Sequence, residues 1–109
     1  MRTLKFIVDG QVMKQDPSCD FEGLVPGSEG YLQAEFNLSS EWRDAAVVAS
    51  FWSVLGKEYQ PQKLTSSKTC VIPAEALKRR TFKVQLIGLT KKGIKMKTNK
   101  VEVHQKGGN

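Results

Sequence analysis

The sequence predicts an all-β domain. From Tyr31 to Val103 apolar and polar residues alternate in short runs, the period of a strand with one buried face. Glycine, proline, asparagine and aspartate stand between these runs, where a chain must turn. The clearest pair is Thr81–Thr90 and Ile94–Thr98, split by Lys91-Lys92-Gly93. It reads as a hairpin in which Phe82, Val84 and Leu86 share one face of the first run, and Ile94 and Met96 one face of the second.

The remaining elements follow the same logic. Asp9-Gly10 separates two β-prone runs within Leu4–Lys14 and favours a tight two-residue hairpin, because glycine adopts positive φ without strain. Residues 15–30 carry Asp16-Pro17-Ser18 and Val25-Pro26-Gly27, so a long irregular connection is expected, with at most one short strand near Phe21. Tyr31–Leu38 places Leu32, Ala34, Phe36 and Leu38 inward and Gln33, Glu35 and Asn37 outward. Ser39–Asp44 opens on serines suited to capping a helical turn, and the β-branched and aromatic residues of Ala45–Val54 then favour a strand. Glu58–Gln60 is expected to pair briefly, and Thr69–Ile72 forms a short strand stopped by Pro73. Pro73–Arg80 has good helix formers behind a proline placed at the first helical position, which suits a turn or two of helix crossing from one sheet to the other. About seven short strands with turns between them fit an immunoglobulin-like antiparallel β-sandwich with one short helix between the late strands; a small barrel is the competing architecture.

At 109 residues the chain is one domain's worth. Its longest apolar stretch, residues 45–54, is broken by Ser50 and Ser53 and too short to span a bilayer, so no membrane partner is expected. The short, charged N-terminal run argues against a secretory signal and for a protein made in a cytoplasm. In that setting Cys19 and Cys70 are expected to stay reduced, Cys70 as a small buried residue and Cys19 as a loop thiol. The net charge of +6 is uneven: residues 1–55 hold four bases against eight acids, and residues 56–109 hold thirteen bases against three. That imbalance becomes a basic face if the two halves segregate in space, and dissolves if they interleave.

Residues that catalysis usually needs are scarce. The lone histidine, His104, alternates with Val101 and Val103 and reads as a surface strand residue. No paired CxxC and no phosphate-cradling glycine loop occur; Gly88 and Gly93 read as a bend and a turn. No enzyme activity, cofactor or metal is therefore expected. The aromatic residues are the better lead. Phe51 and Trp52 are adjacent on one strand and must point to opposite faces. With Phe51 inward beside Val47 and Ala49, Trp52 stands outward with Val48 and Val54, a stripe suited to a partner surface or, with Tyr59, to stacking on a sugar, unless a loop or the N-terminal hairpin covers it. Trp42 reads as a core plug. Lys83, Lys95 and Lys97 line the outer face of the last hairpin, with Lys91 and Lys92 at its tip and Lys100 beyond. This lysine ladder meets an acidic partner or simply solvates the sheet; nucleic acid is disfavoured because no aromatics are interleaved on that face.

In order, the Trp42 turn leading to a strand ending in Phe51, the segment Cys70-Val-Ile-Pro-Ala-Glu-Ala-Leu77, the run Phe82-x-Val-x-Leu-x-Gly88 and Thr98-Asn-Lys-Val-Glu-Val103 resemble a small immunoglobulin-like domain recurring in structural proteins of tailed bacteriophages and prophages. The resemblance spans about residues 31–105, leaving residues 1–30 as a hairpin and connection packed on that domain or docking a partner, and residues 106–109 as a flexible tail. It implies a strand and helical crossover at Val71–Leu77 and a last strand opening at Thr98-Asn99. It also implies a non-enzymatic virion protein, made in the host cytoplasm and carried on the particle as a capsid decoration, head-fibre or tail-attachment module. Its partners would be capsid, fibre or tail subunits, or a second copy of the chain. A carbohydrate-binding module holding a host-surface glycan is the alternative, and a nucleic-acid-binding β domain the third.

Overall fold

Nine strands in two facing sheets form the protein, seen here in a computed structural model that describes residues 1–106. The first sheet has the order β2–β1–β3–β6, built from β1 (Arg2–Asp9), β2 (Val12–Gln15), β3 (Leu32–Leu38) and β6 (Thr69–Val71). The second runs β5–β4–β7, from β5 (Gln62–Lys63), β4 (Ala45–Ser53) and β7 (Thr81–Thr90), and the far edge of β7 is shared by β8 (Lys95–Lys97) and β9 (Val101–His104). The all-β sandwich expected from the alternation is therefore present. It exceeds the expected strand number because the N-terminal hairpin adds two strands to the first sheet.

The N-terminal hairpin is not an appendage. β1 lies inside the first sheet, antiparallel to β2 and parallel to β3, with Leu4 opposite Ala34 and Phe6 opposite Phe36. A boundary at residue 30 thus separates nothing: Leu4, Phe6 and Val8 are as deeply buried as any residue of the later strands. The irregular connection of residues 16–31 exists because the chain leaves β2 on one side of β1 and must enter β3 on the other. It crosses one end of the sandwich, with Leu24 buried and the Phe21 ring edge-on to Phe6 at 5.5 Å.

Register selects the core. Leu4, Phe6, Val8, Met13, Leu32, Ala34, Phe36 and Cys70 from the first sheet meet Val47, Ala49, Phe51, Phe82, Val84, Leu86 and Val103 from the second. Each large apolar side chain so placed contributes about 1.5–3 kcal/mol. Burial pushes the Cys70 thiol up to about 12, so it sits there as a small neutral group. Met96, opposite Gly88, packs against this core, whereas Ile94 does not: it is 56% exposed and precedes β8. The reason is the turn. Thr90 Oγ1 accepts the Ile94 N–H, and Gly93 has φ of +88°, so Ile94 completes the loop rather than starting the strand.

One end is closed by the Asp9-Gly10 turn. A 3₁₀ turn at Ser40–Trp42 drives Trp42 fully into the core, where its Nε1–H donates to the Gly10 carbonyl at 2.8 Å. Ser39 precedes this turn but does not cap it. Its Oγ accepts the Gly10 N–H and donates to Glu41 Oε1, both at 2.9 Å. Gly88 is explained by the same indole: a Cβ there would lie 2.7 Å from Trp42 Cζ3, so this position is a close approach and not a bend.

The opposite end carries α1 (Ala74–Leu77), a single turn linking β6 in one sheet to β7 in the other, with Pro73 at its N-cap rather than its first helical position. Gln105, 1% exposed, closes it. Its Nε2 donates to the Leu77 and Arg79 carbonyls and its backbone N–H to the Arg80 carbonyl. Along one side the sheets are stitched by Asn99, in the break between β8 and β9. Its Oδ1 accepts the Met13 N–H at 2.6 Å and its Nδ2 donates to the Met13 carbonyl at 3.0 Å, supplying the bonds a neighbouring strand would have made to β2.

Candidate interaction surface

The outer face of the second sheet is the part of the surface where the sequence-predicted residues converge. β4 and β7 pair antiparallel over their length, so that Val48 lies opposite Ile87, Ser50 opposite Gln85 and Trp52 opposite Lys83. Because Val47, Ala49 and Phe51 face the core, alternation turns Val48, Ser50 and Trp52 outward. The same registers put Lys63 of β5, Lys95 and Lys97 of β8 and Glu102 of β9 on this face. Lysines of the later half thus gather on this face even though the two halves interleave, with β4 between β5 and β7 and β6 in the first sheet. The outer face of the first sheet is mixed: Lys5 and Lys14 stand with Asp9 and Glu35.

Trp52 is neither free nor hidden. Its ring is partly exposed, and Lys100, in the link between β8 and β9, places Nζ 3.7 Å from the ring centroid, a cation–π contact. Neither Trp52 Nε1 nor Ser50 Oγ, both buried, has a hydrogen-bond partner among the described residues. A buried donor left in that state costs about 1–3 kcal/mol. Gln85 beside them is satisfied, its Nε2 donating to the Thr98 carbonyl at 2.8 Å, and Thr98 Oγ1 accepts the Leu86 N–H where β8 has left the ladder.

The other predicted residues lie elsewhere. Tyr59 is 8% exposed and does not belong to the outward stripe. Its N–H bonds to the Phe51 carbonyl while Glu58 pairs with Trp52, so alternation directs Tyr59 to the core side. Val54 is exposed beyond the end of β4; it and Tyr59 line a cleft at the helix end together with Arg79 and Arg80. Lys91 and Lys92 occupy the opposite end, around a depression also lined by Arg43, Glu41 and Asp44, so that cations and carboxylates are mixed there. His104 is exposed on β9 with Nδ1 3.1 Å from Thr81 Oγ1. Lys63, Ser50 and the Arg79-Arg80 pair were not singled out by the sequence, whereas Lys100 was, as the continuation of the lysine ladder. The basic pair was legible as charge directly after a helix signal, and the others depend on register.

Among the described residues no group of three or more His, Cys, Asp and Glu is placed to hold a metal, and no helix is long and apolar enough to cross a membrane. No family model, curated protein or solved structure matches the chain.

Proposed function

We propose that the protein is a non-enzymatic structural component of a tailed-phage or prophage virion. In this reading it is an immunoglobulin-like module that attaches to a capsid, fibre or tail subunit through the outer face of its second sheet. The observation that supports docking there is the make-up of the face. Val48, Ile87 and Trp52 form a partly buried apolar strip, flanked by Lys63, Lys83, Lys95, Lys97 and Lys100, with Glu58 and Glu102 as the opposing carboxylates. An apolar centre with a polar rim is how protein interfaces are arranged, and a cationic rim selects an acidic partner and speeds encounter with it. The virion assignment rests on the order of the sequence motifs. The glycan reading is weaker, because Lys100 already covers a face of Trp52 on which a sugar would stack.

Co-sedimentation tests this. Virus particles induced from the encoding host are mixed with the wild-type protein or with a K83E/K95E/K97E variant and pelleted. The wild type is expected in the pellet, and the variant to need about tenfold more protein for the same occupancy. Equal pelleting of both would move the interface to another face. No pelleting, with retention on host-surface glycan or on DNA, would replace the virion reading.

A further inference from the structure

We propose that the cleft at the helix end is a carboxylate site that seats an acidic segment of a partner protein, separate from the lysine-rimmed face. The cleft has a volume of about 380 Å³ and is lined by Val54, Leu55, Lys57, Tyr59, Arg79 and Arg80, with Ser53 and Thr81 completing it; no carboxylate is among the lining residues. Its cations are held in place from behind. Gln105 fixes the Arg79 and Arg80 carbonyls, so this stretch of backbone is rigid while both arginine side chains remain exposed. Tyr59 forms part of the wall. Its backbone N–H is bonded to the Phe51 carbonyl, and its hydroxyl is closed to solvent, buried with no hydrogen-bond partner among the described residues. Two exposed guanidinium forks next to one cavity match the two oxygens of a carboxylate, which accepts from both.

The walls decide what carries the anion. Leu55 is 94% exposed and Val54 is exposed beside it. A free phosphate would leave both in water, whereas the aliphatic stem of a glutamate and an apolar neighbour in a peptide would cover them. The cleft therefore takes a short acidic-apolar segment, its carboxylate inward and its neighbours on the Val54–Leu55 rim.

The probe is a capped pentapeptide with one central glutamate between leucines, titrated against isotopically labelled full-length protein. Its glutamine twin, inorganic phosphate and glucuronate are the comparison arms. The glutamate peptide is expected to shift the amide resonances of Leu55, Lys57, Tyr59 and Thr81, and to weaken steeply with added salt. The glutamine twin should not. Tyr59→Phe should leave binding unchanged while holding or raising the melting temperature, since it deletes an unpartnered hydroxyl closed to solvent. R79Q/R80Q should abolish binding, and K95E/K97E should leave it unchanged, which separates this site from the outer face. Equal shifts from the glutamine twin would overturn the proposal. So would binding of phosphate or glucuronate without the peptide, or an R79Q/R80Q protein that binds the peptide as before.

Discussion

At the hairpin end of the sandwich, Gly10, Ser39, Glu41 and Trp42 exchange hydrogen bonds until each buried polar atom has a partner. Along the second sheet and the helix end, Ser50 Oγ, Trp52 Nε1, Tyr59 OH and Gln105 Oε1 are buried with none among the described residues. The two regions share a core and belong to one chain, so the difference is not one of packing quality. A satisfied network adds stability and specifies one arrangement, whereas an orphaned group lowers stability by about 1–3 kcal/mol. The hairpin end is thus the structural lock of the fold, and the second sheet with the helix end carries the polar atoms that weaken it.

The largest expected effect breaks the lock. Trp42→Ala should cost about 3–5 kcal/mol from the emptied core volume, with further loss as the Gly10 carbonyl is orphaned. Gly88→Ala should cost about 1–3 kcal/mol by overpacking, because its new Cβ would collide with the Trp42 ring. In a Trp42→Leu background the same alanine should cost far less, a coupling that denaturant melts of the double-mutant cycle would read. If the Gly88→Ala cost is unchanged by Trp42→Leu, the indole is not what requires glycine there.

Asn99 joins the two regions, and its loss should be intermediate. Asn99→Ala strips both the N–H and the carbonyl of Met13 of their partners, a cost of about 1–3 kcal/mol. Hydrogen exchange at Met13 should quicken more than exchange at Phe36 or Val84, since the damage is confined to the edge where β2 meets the break between β8 and β9. Equal quickening at all three would mean that Asn99 supports the whole sandwich rather than one seam.

How much of this was legible in the sequence follows from the distance over which each feature is determined. Alternation is local, so the inward sets Leu32, Ala34, Phe36 and Phe82, Val84, Leu86 could be read directly, as could Trp42 as a plug and the helical crossover after Pro73. The lysines of β7 and β8 could be read too, because the hairpin joining them is short. Where register couples distant segments, the sequence is silent. Nothing near Leu4 announces that β1 will pair in parallel with β3 and become interior. Tyr59 resembles any exposed aromatic until its N–H is seen bound to Phe51, and Lys100 meets Trp52 only because β8 ends early. Gln105, a polar residue near the end of the chain, is buried because it completes a helix terminus more than twenty residues away. Polar groups recruited across such distances leave no periodic trace.

The smallest effect gives the sharpest contrast, since it sets two serines against each other. Ser39 accepts from Gly10 and donates to Glu41; Ser50, 1% exposed, does neither. Removing the Ser39 hydroxyl leaves the Gly10 N–H without its acceptor, so Ser39→Ala should lose about 1 kcal/mol. Removing the Ser50 hydroxyl deletes a group that gains nothing from being buried, so Ser50→Ala should lose nothing or gain up to about 1 kcal/mol. Urea midpoints of the two variants, measured side by side, would read the opposite signs. A Ser50→Ala protein as weakened as Ser39→Ala would mean that the second sheet satisfies its polar atoms after all, and that the two regions do not differ in this respect.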